Sequence, residues 1–427
     1  MDIGNIAELN TFLVLDAIRS RGHVTRRQLG RDLGLSAASV SRIVQRLLAA
    51  GLIAEEPGTG AVRGRIPAVL RFIGPPGGVI AVDLGGTRCH GALADMAGEV
   101  VAEDFRPAGA GAPGEHGRAA RGSAAVSALL GCIAALRARA AELAMPVRAA
   151  VVGIPALIDP ATGLATAGPN VHWQGLDLLG LLRAELTWPF EVDNDVNLGA
   201  LGQAWRGAGR GAHSFLLISL GTGIGGALVI DGHLIRGRHN AAGEIAYFPV
   251  ATRPAAPGAA GARGGPAGLE DVASGMALRA RAVELIAAGC PSGLGPGASV
   301  VEVFAAARDG DEAGARVVAE LTGHVAAAIA GATALVDPEL IILDGSIGRA
   351  LEPWLAQLRT AVARAVFRAP EVVISTLGAN ATVLGATARA LAIAAERDQP
   401  GARHPARRPA APAPASRPTA RRPGPAA

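Results

Sequence analysis

No lysine occurs anywhere in the chain, so all 40 of its basic residues are arginine. That absence removes the amine a Walker-A loop places on phosphates, the strand lysine of a protein kinase and the nucleophile of Schiff-base enzymes. Cysteine is scarce. Cys89, Cys132 and Cys290 stand far apart without paired spacing, which argues against a disulfide framework or a thiolate zinc site and fits a reducing cytoplasm. Aromatics make up only 3% of the residues, and the heavy use of Ala, Gly and Arg reads as a coding bias rather than a functional signal. The opening MDIGNIAELN has no apolar h-region, so no signal peptide is visible. The longest apolar stretch, residues 215–230, is cut by Gly221, Gly223, Gly225 and Gly226 and is too short to span a bilayer as a helix. These absences predict a soluble, cytoplasmic protein with no membrane partner.

What is present is a chain of 427 residues, half of them apolar, enough for two or three domains with real cores. The net charge of +4 is unevenly spread: residues 400–427 hold six Arg and no acid, leaving 34 Arg against 36 acids elsewhere. Pro, Ala and Arg without apolar periodicity cannot offset the entropy of ordering, so residues 395–427 are expected to be a disordered, solvated tail. Residues 1–73 are different, with ten Arg against six acids on a stretch that has the pattern of a compact domain.

In that stretch Leu9, Leu13, Val14, Ala17 and Ile18 form one apolar helical stripe. Thr25 and Gln28 have the spacing of a capping box for a second helix that buries Leu29 and Leu33 and stops at Gly34. Ser36 can cap a third helix, in which Val40, Ile43, Val44, Leu47 and Leu48 face inward and Gly51 closes the end. Its opposite face is Ala38, Ser39, Arg42, Gln45 and Arg46. From Leu52-Ile53 a strand leads into a loop at residues 57–64, and residues 68–72 return as a second strand, with Arg63 and Arg65 at the tip. Two short helices about a tight turn, followed by a basic hairpin, fit a major groove with a minor groove or phosphate beside it. The segment LGRDLGLSAASVSRIVQRLLAAGLI resembles the winged helix-turn-helix of bacterial repressors. The residues expected on DNA are Ser36, Ala38, Ser39, Arg42, Arg46, Arg63 and Arg65.

Residues 74–78, GPPGG, read as a linker, after which buried strands replace helical stripes. GVIAVDLGGTRCHGALAD reads as strand, turn, strand, with Asp83 at the strand end and Gly85, Gly86 and Thr87 in a turn that can cradle a phosphate. SFLLISLGTGIGGALVIDG repeats the pattern about 140 residues later, with Gly221, Thr222 and Gly223, then Gly225 and Gly226. Two such hairpins suggest a duplicated, two-lobed fold with a nucleotide cleft, the layout of the actin-like sugar kinases. Between them, Gly168-Pro169-Asn170 and Trp173 offer polar groups to a hydroxylated ligand. FEVDNDVNLGALGQ delivers Asp193, Asn194, Asp195 and Asn197 to a helix start, where an Asp could act as general base in phosphoryl transfer or simply cap the helix.

Taken in order, these residues resemble the ROK family, which unites bacterial repressors with sugar kinases, over nearly the whole chain to about residue 394. The implied fold is α/β: a winged helix-turn-helix at residues 1–73, then an actin-like (ribonuclease H-like) domain. Its first lobe would span residues 79–200 and its second 201–394, the final helix returning to the first lobe. The resemblance implies that Asp195 is the catalytic base in any kinase, and that Asn170, Asn194, Asp195, Glu244 and Glu270 bond sugar hydroxyls. It further implies that Asp83, Gly85, Gly86, Thr87, Gly221, Thr222 and Gly223 meet the nucleotide. Asp344 stands where the family usually has Gly.

One family feature is missing. The zinc-binding His position is held by Tyr247, and the three Cys positions by Gly261, Arg263 and Gly268. The expectation is therefore no zinc, a flexible loop over residues 251–268, a Glu270 without its clamp, and Tyr247 standing in at the sugar pocket. ATP and Mg²⁺ enter only with the kinase alternative. The expected function is a transcription regulator, in the family's habit a repressor of sugar-related genes, with a sugar or sugar phosphate as effector. Its partners would be a palindromic double-stranded operator and a second copy of itself, as a homodimer or dimer of dimers. A sugar kinase with a fused DNA-binding head, or an interaction module without a ligand, are the alternatives.

Overall fold

The computed structural model describes residues 14, 17–19, 21–49, 51–58, 68–74, 77–108, 118–159, 164–166, 177–250 and 267–397. Val14, Ala17 and Ile18 are helical and buried, as the first stripe requires, while Leu9 and Leu13 lie outside the described residues. Strand β1 (His23–Val24) comes next, followed by helix α1 (Arg26–Leu33). Helix α1 starts at Thr25 with the full capping box, a device whose loss typically costs ~1 kcal/mol, and ends at Gly34 in the left-handed region, φ 65°. Helix α2 (Ala37–Ala49) begins under Ser36, whose Oγ accepts from the Ser39 amide at 3.2 Å. Val40, Ile43, Val44 and Leu47 are buried on its inner face and pack with Leu29 and Ile18.

The wing differs from expectation in two ways. Strand β2 runs Ile53–Glu56 without Leu52, because the Leu52 amide is spent on Leu47 O (3.0 Å) in closing α2 over Gly51. Strand β3 (Val69–Phe72) lies in the middle of a three-stranded sheet of order β1-β3-β2, its second partner being the two-residue β1. Arg63 and Arg65 lie outside the described residues.

The rest of the chain builds one sheet pattern twice. The first half runs β4 (Gly78–Leu84), β5 (Arg88–Asp95), β6 (Val100–Pro107), α3 (Arg118–Glu142) and β7 (Val147–Ile154). It continues with a small β8 (Leu157–Ile158) and β9 (Ala165–Thr166) pair, α4 (Leu178–Glu185) and β10 (Phe190–Asn194). Its sheet order is β10-β7-β4-β5-β6, antiparallel between β4, β5 and β6 and parallel from β4 to β7 to β10. Helix α5 (Asp195–Arg206) leads to the second half: β11 (Phe215–Leu220), β12 (Ile224–Ile230), β13 (His233–Ile235), α6 (Leu269–Ala273), α7 (Gly275–Ala287), α8 (Val300–Arg308) and α9 (Glu312–Val336). It closes with β14 (Leu340–Asp344), α10 (Gly345–Ala350), α11 (Leu355–Ala365), β15 (Glu371–Ile374) and α12 (Ala381–Arg397). The order β13-β12-β11-β14-β15 repeats the first sheet strand for strand, with the same parallel and antiparallel pairs. This is the duplicated two-lobed actin-like α/β architecture.

Both sheets are covered on both faces, which is why their central strands read as unbroken apolar runs. In β4, Ile80 and Val82 face α3, while Val79 and Ala81 face α12. In β11, Leu216 and Ile218 join α9 in one core, and Phe215 and Leu217 join Ala200 of α5 in another. Helices α3 and α9 are long and apolar enough to resemble membrane spans, and the sequence reading passed over them; in the fold Leu129 and Leu136 of α3 and Leu321 and Val325 of α9 are core residues.

Three sequence-drawn boundaries move. Gly78 is already the first residue of β4 rather than linker. A division at residue 200 cuts α5, which sends Leu198 to the first lobe's core and Ala200 to the second's. Helix α12 returns to the first sheet but continues to Arg397, beyond the expected tail start at 395.

Candidate functional site

The cleft is assembled by strand ends and turns. Strand β10 ends at Asn194, whose Oδ1 accepts from the amides of Val196 (2.9 Å) and Asn197 (3.2 Å), making it the N-cap of α5. The capping role raised for Asn194 or Asp195 thus falls to Asn194, and Asp195 opens the helix. There the helix dipole favours a carboxylate, and the Val196 amide reaches Asp195 Oδ1 at 2.9 Å. Burial outweighs both, lifting the Asp195 carboxyl to about 7, and the neighbouring Asp83 and Glu244 carboxylates push it the same way. Asp83, the last polar residue of β4, is raised to about 6 by burial against the opposing pull of Arg88. Asp83 and Glu244, remote in sequence from Asp195, are therefore both brought close enough to act on its carboxyl.

The first turn is open. Gly85 donates to Arg88 O at 2.8 Å, and nothing lies within 4 Å of where a side chain on Gly86 would begin. Thr87 is exposed on the same turn. In the second turn Gly221, Thr222 and Gly223 are likewise accessible, closed by a Gly221 amide to Gly223 O bond of 3.0 Å. Gly225 and Gly226 are not part of that turn. They lie in β12, where a β-carbon would meet Val196 Cγ2 at 2.6 Å and Gly243 O at 2.4 Å respectively. Their glycine identity is a packing requirement, not a phosphate approach.

Glu270 sits at the start of α6, its Oε2 accepting from the Ile224 amide at 2.8 Å beside the second turn. Its expected loss of a clamp is corrected: a backbone amide holds it. Glu244 is half-buried and precedes the single turn Ile245–Tyr247, and Tyr247 is 47% exposed. The expected flexible loop is corrected at its end, because Gly268 pairs with Pro249 and Ala267 O accepts from Val250. A phenol at Tyr247 and the bare backbone of Gly268 do not supply the imidazole and thiolate that a zinc site of this kind needs. Asn170, Trp173, Gly261 and Arg263 lie outside the described residues.

Sequence reasoning overlooked what ties the lobes across the cleft. Asp193 is buried, its Oδ2 2.6 Å from Arg236, and its Oδ1 accepts from Asn197 Nδ2 at 3.1 Å. Asn240 donates to Ile158 O at 2.7 Å, and Arg236 also lies 3.7 Å from Glu191, which Arg389 of α12 holds from within the first lobe at 2.9 Å. Only the FEVDN acids hinted at this, because their arginine partners are 43 and 198 residues away. Asp344, at the end of β14, is buried and bonded to Arg349 at 3.2 Å.

On the N-terminal domain, Ser36, Ala38, Arg42 and Arg46 are exposed and Ser39 is half-buried, its hydroxyl 3.0 Å from that of Ser36. Arg21, Arg26 and Arg71 are engaged with Asp32, Glu55 and Glu56, whereas Arg42 and Arg46 form no ion pair with the described residues.

The raised carboxyls make stability depend on pH. Unfolded, Asp195 titrates near its ordinary 3.8 and folded at about 7. Between these values the folded state holds the extra proton, so the contribution of this one carboxyl to stability is greatest below pH 4, falls as pH rises and levels off above 7. Asp195→Asn is expected to match the parent at pH 4 and to exceed it by about 1–3 kcal/mol at pH 8, after allowance for partial contact with solvent. Denaturant unfolding at the two pH values checks this; an equally stable variant at pH 8 contradicts it.

The ROK family profile matches residues 79–393, and the MarR family profile matches residues 8–61. The xylose repressor of Caldicellulosiruptor bescii is 24% identical over 90% of this chain and 95% of its own. The glucokinase of Halalkalibacterium halodurans is 33% identical, over 55% of this chain and 73% of its own. A crystal structure of a ROK family transcriptional regulator, homologue of the E. coli Mlc protein, superposes with a TM-score of 0.72 at 26% identity, covering 91% of this chain and 97% of that one. With its sheets, turns and winged helix accounted for, the chain belongs to the ROK family.

Proposed function

We propose that this protein is a sugar-responsive DNA-binding repressor. The observation that carries the reading is the fusion itself: a repressor relative aligns along 90% of the chain, winged helix included, while the glucokinase relative aligns along 55%. Helix α2 presents Ala38, Ser39 and Arg42 to base edges and Arg46 to a phosphate, with Ser36 capping the helix, and Arg63 and Arg65 on the wing. A two-fold operator would be bound by a homodimer, since one winged helix has a small footprint. In the cleft, Asn194, Asp195 and Glu244 bond the hydroxyls of a sugar or sugar phosphate, together with Asn170, Glu270 and Tyr247. The ligand changes the lobe arrangement, and with it DNA affinity, only insofar as it binds the two arrangements differently. The setting is the cytoplasm, where operator and sugar are both present.

Sugar phosphorylation is the second reading, favoured by Asp195 and both open turns. Asp83, Gly85, Gly86 and Thr87 on one lobe and Gly221, Thr222 and Gly223 on the other would hold Mg²⁺-ATP, which when bound supplies the phosphoryl group. Asp195, with its carboxyl at about 7, is placed to accept a hydroxyl proton near neutral pH.

A thermal-shift panel of pentoses, hexoses and their phosphates, with and without ATP, tests both readings. The regulator reading expects at least one sugar to raise Tm without ATP and Asp195→Asn to lose that shift. Steady ATP-dependent turnover of a sugar by the parent chain would establish the second reading.

A further inference from the structure

The segment that leaves β13 carries Glu244 to the cleft, and it is tied to the first lobe on the way. Arg236 and Ala242 close it into a short loop, the Ala242 amide donating to Arg236 O at 3.1 Å. Asn240, inside the loop, takes the left-handed conformation (φ 56°) that Asn adopts more readily than most residues. Gly243 then lies so close to β12 that a β-carbon on it would come within 2.9 Å of Gly226 O. Glu244 therefore leaves the loop with its backbone seated on the second sheet. Two side chains of the same loop reach the other lobe. Asn240 Nδ2 donates to Ile158 O at 2.7 Å, and Arg236 donates to Asp193 Oδ2 at 2.6 Å. Asp193 divides its carboxylate. Its Oδ1 accepts from the Asn194 amide at 2.8 Å and from Asn197 Nδ2 at 3.1 Å, so one buried group sets the chain as it turns from β10 into α5.

We propose that Arg236 is a positioning residue of the sugar site: without touching the sugar, it holds Asn194 and Asp195 of one lobe at a fixed span from Glu244 of the other. The inference rests on the sugar-binding reading and deepens it, by naming a residue outside the pocket that sets the affinity. Three observations carry it. First, the link is short at both ends, since Asp193 directly precedes Asn194 and Arg236 belongs to the loop that delivers Glu244. Second, Asp193 is buried, and among the described residues Arg236 is its ion-pair partner, so the contact is costly to break and its geometry is well defined. Third, β10 carries its own contrast. Arg389 holds Glu191, two residues before Asp193, at 2.9 Å, but from within the first lobe. It stiffens the same strand without spanning the cleft, whereas Arg236 spans it.

The test measures, on the full chain, calorimetric binding of D-xylose, D-ribose, D-glucose, D-mannose and their phosphates. Affinity for a duplex selected by the full chain from a randomised pool is followed beside it, without sugar. Arg236→Gln is expected to weaken whichever probe the parent binds by about tenfold or more, and to leave sugar-free duplex affinity unchanged. Arg236→Lys, which keeps a charge on Asp193 without the guanidinium fork, should recover part of that loss. Because Arg236→Gln strands a buried carboxylate, a second variant combines it with Asp193→Asn, which removes the charge and keeps an acceptor for the Asn194 amide. The combined variant should unfold at the parent's temperature and show the same loss of sugar affinity. Arg389→Gln should keep sugar affinity within about threefold of the parent's. Parent-like sugar affinity in the combined variant would overturn the inference while leaving the sugar reading intact. An equal loss in Arg389→Gln would overturn it too, by showing that stiffness of β10 alone is what the site needs. Failure of the parent to bind any of the probes would overturn both.

Discussion

Gly385→Ala is expected to destabilise the chain by about 3 kcal/mol or more, enough to lower Tm sharply or prevent soluble expression. Helices α5 and α12 cross in near contact of their backbones: a β-carbon on Gly385 would lie 1.7 Å from Leu198 O, and one on Gly202 would lie 2.2 Å from Ala381 O. Backbone cannot swing aside as a long side chain does, so one methyl group must push the helices apart. The separation would spread, because α5 packs Ala200 on the second sheet while α12 packs Val383 and Ala386 on the first. Gly86→Ala is the matched control. Its β-carbon meets nothing within 4 Å, so stability should stay within about 0.5 kcal/mol. Calorimetric scans of the two variants check the contrast, and equal Tm values would contradict the proposed close crossing.

Arg42→Ala should cost about 1–3 kcal/mol on a preferred duplex and far less on random DNA, flattening the sequence preference. Arg46→Ala should weaken both duplexes by one common factor and reduce the salt slope by about 1. The distinction follows from the helix. Val40, Ile43, Val44 and Leu47 are buried, which turns Ala38, Arg42 and Gln45 outward along one line and leaves Arg46 on its flank. Neither side chain is engaged by a described carboxylate, unlike Arg26 with Glu55. Equal losses on both duplexes for both variants would count against these roles.

Local features were readable in the chain because their causes are local. The Thr25–Gln28 box, the stop at Gly34 and the stripe of α2 each depend on residues within one or two turns. The two turns after β4 and β11 were legible for the same reason, and their repetition revealed the duplication. Strand β1 was not, since two residues have no periodicity and pair with β3 only once the wing has folded. Gly225 and Gly226 looked like turn glycines because sequence cannot distinguish a ligand approaching a backbone from Val196 or Gly243 doing so. The family resemblance pointed to Glu270 for sugar hydroxyls, but its bond to the Ile224 amide is a contact 46 residues long that no pattern announces. The cross-cleft pair of Arg236 with Asp193 and the first-lobe pair of Arg389 with Glu191 were invisible for the same reason.

The most direct measurement is the affinity of the full chain for a selected duplex, titrated with and without each sugar of the thermal-shift panel. A sugar-responsive repressor requires at least one sugar to change DNA affinity fivefold or more, a coupling of about 1 kcal/mol, and the response to vanish in Asp195→Asn. Duplex binding indifferent to every sugar that occupies the cleft would contradict the account.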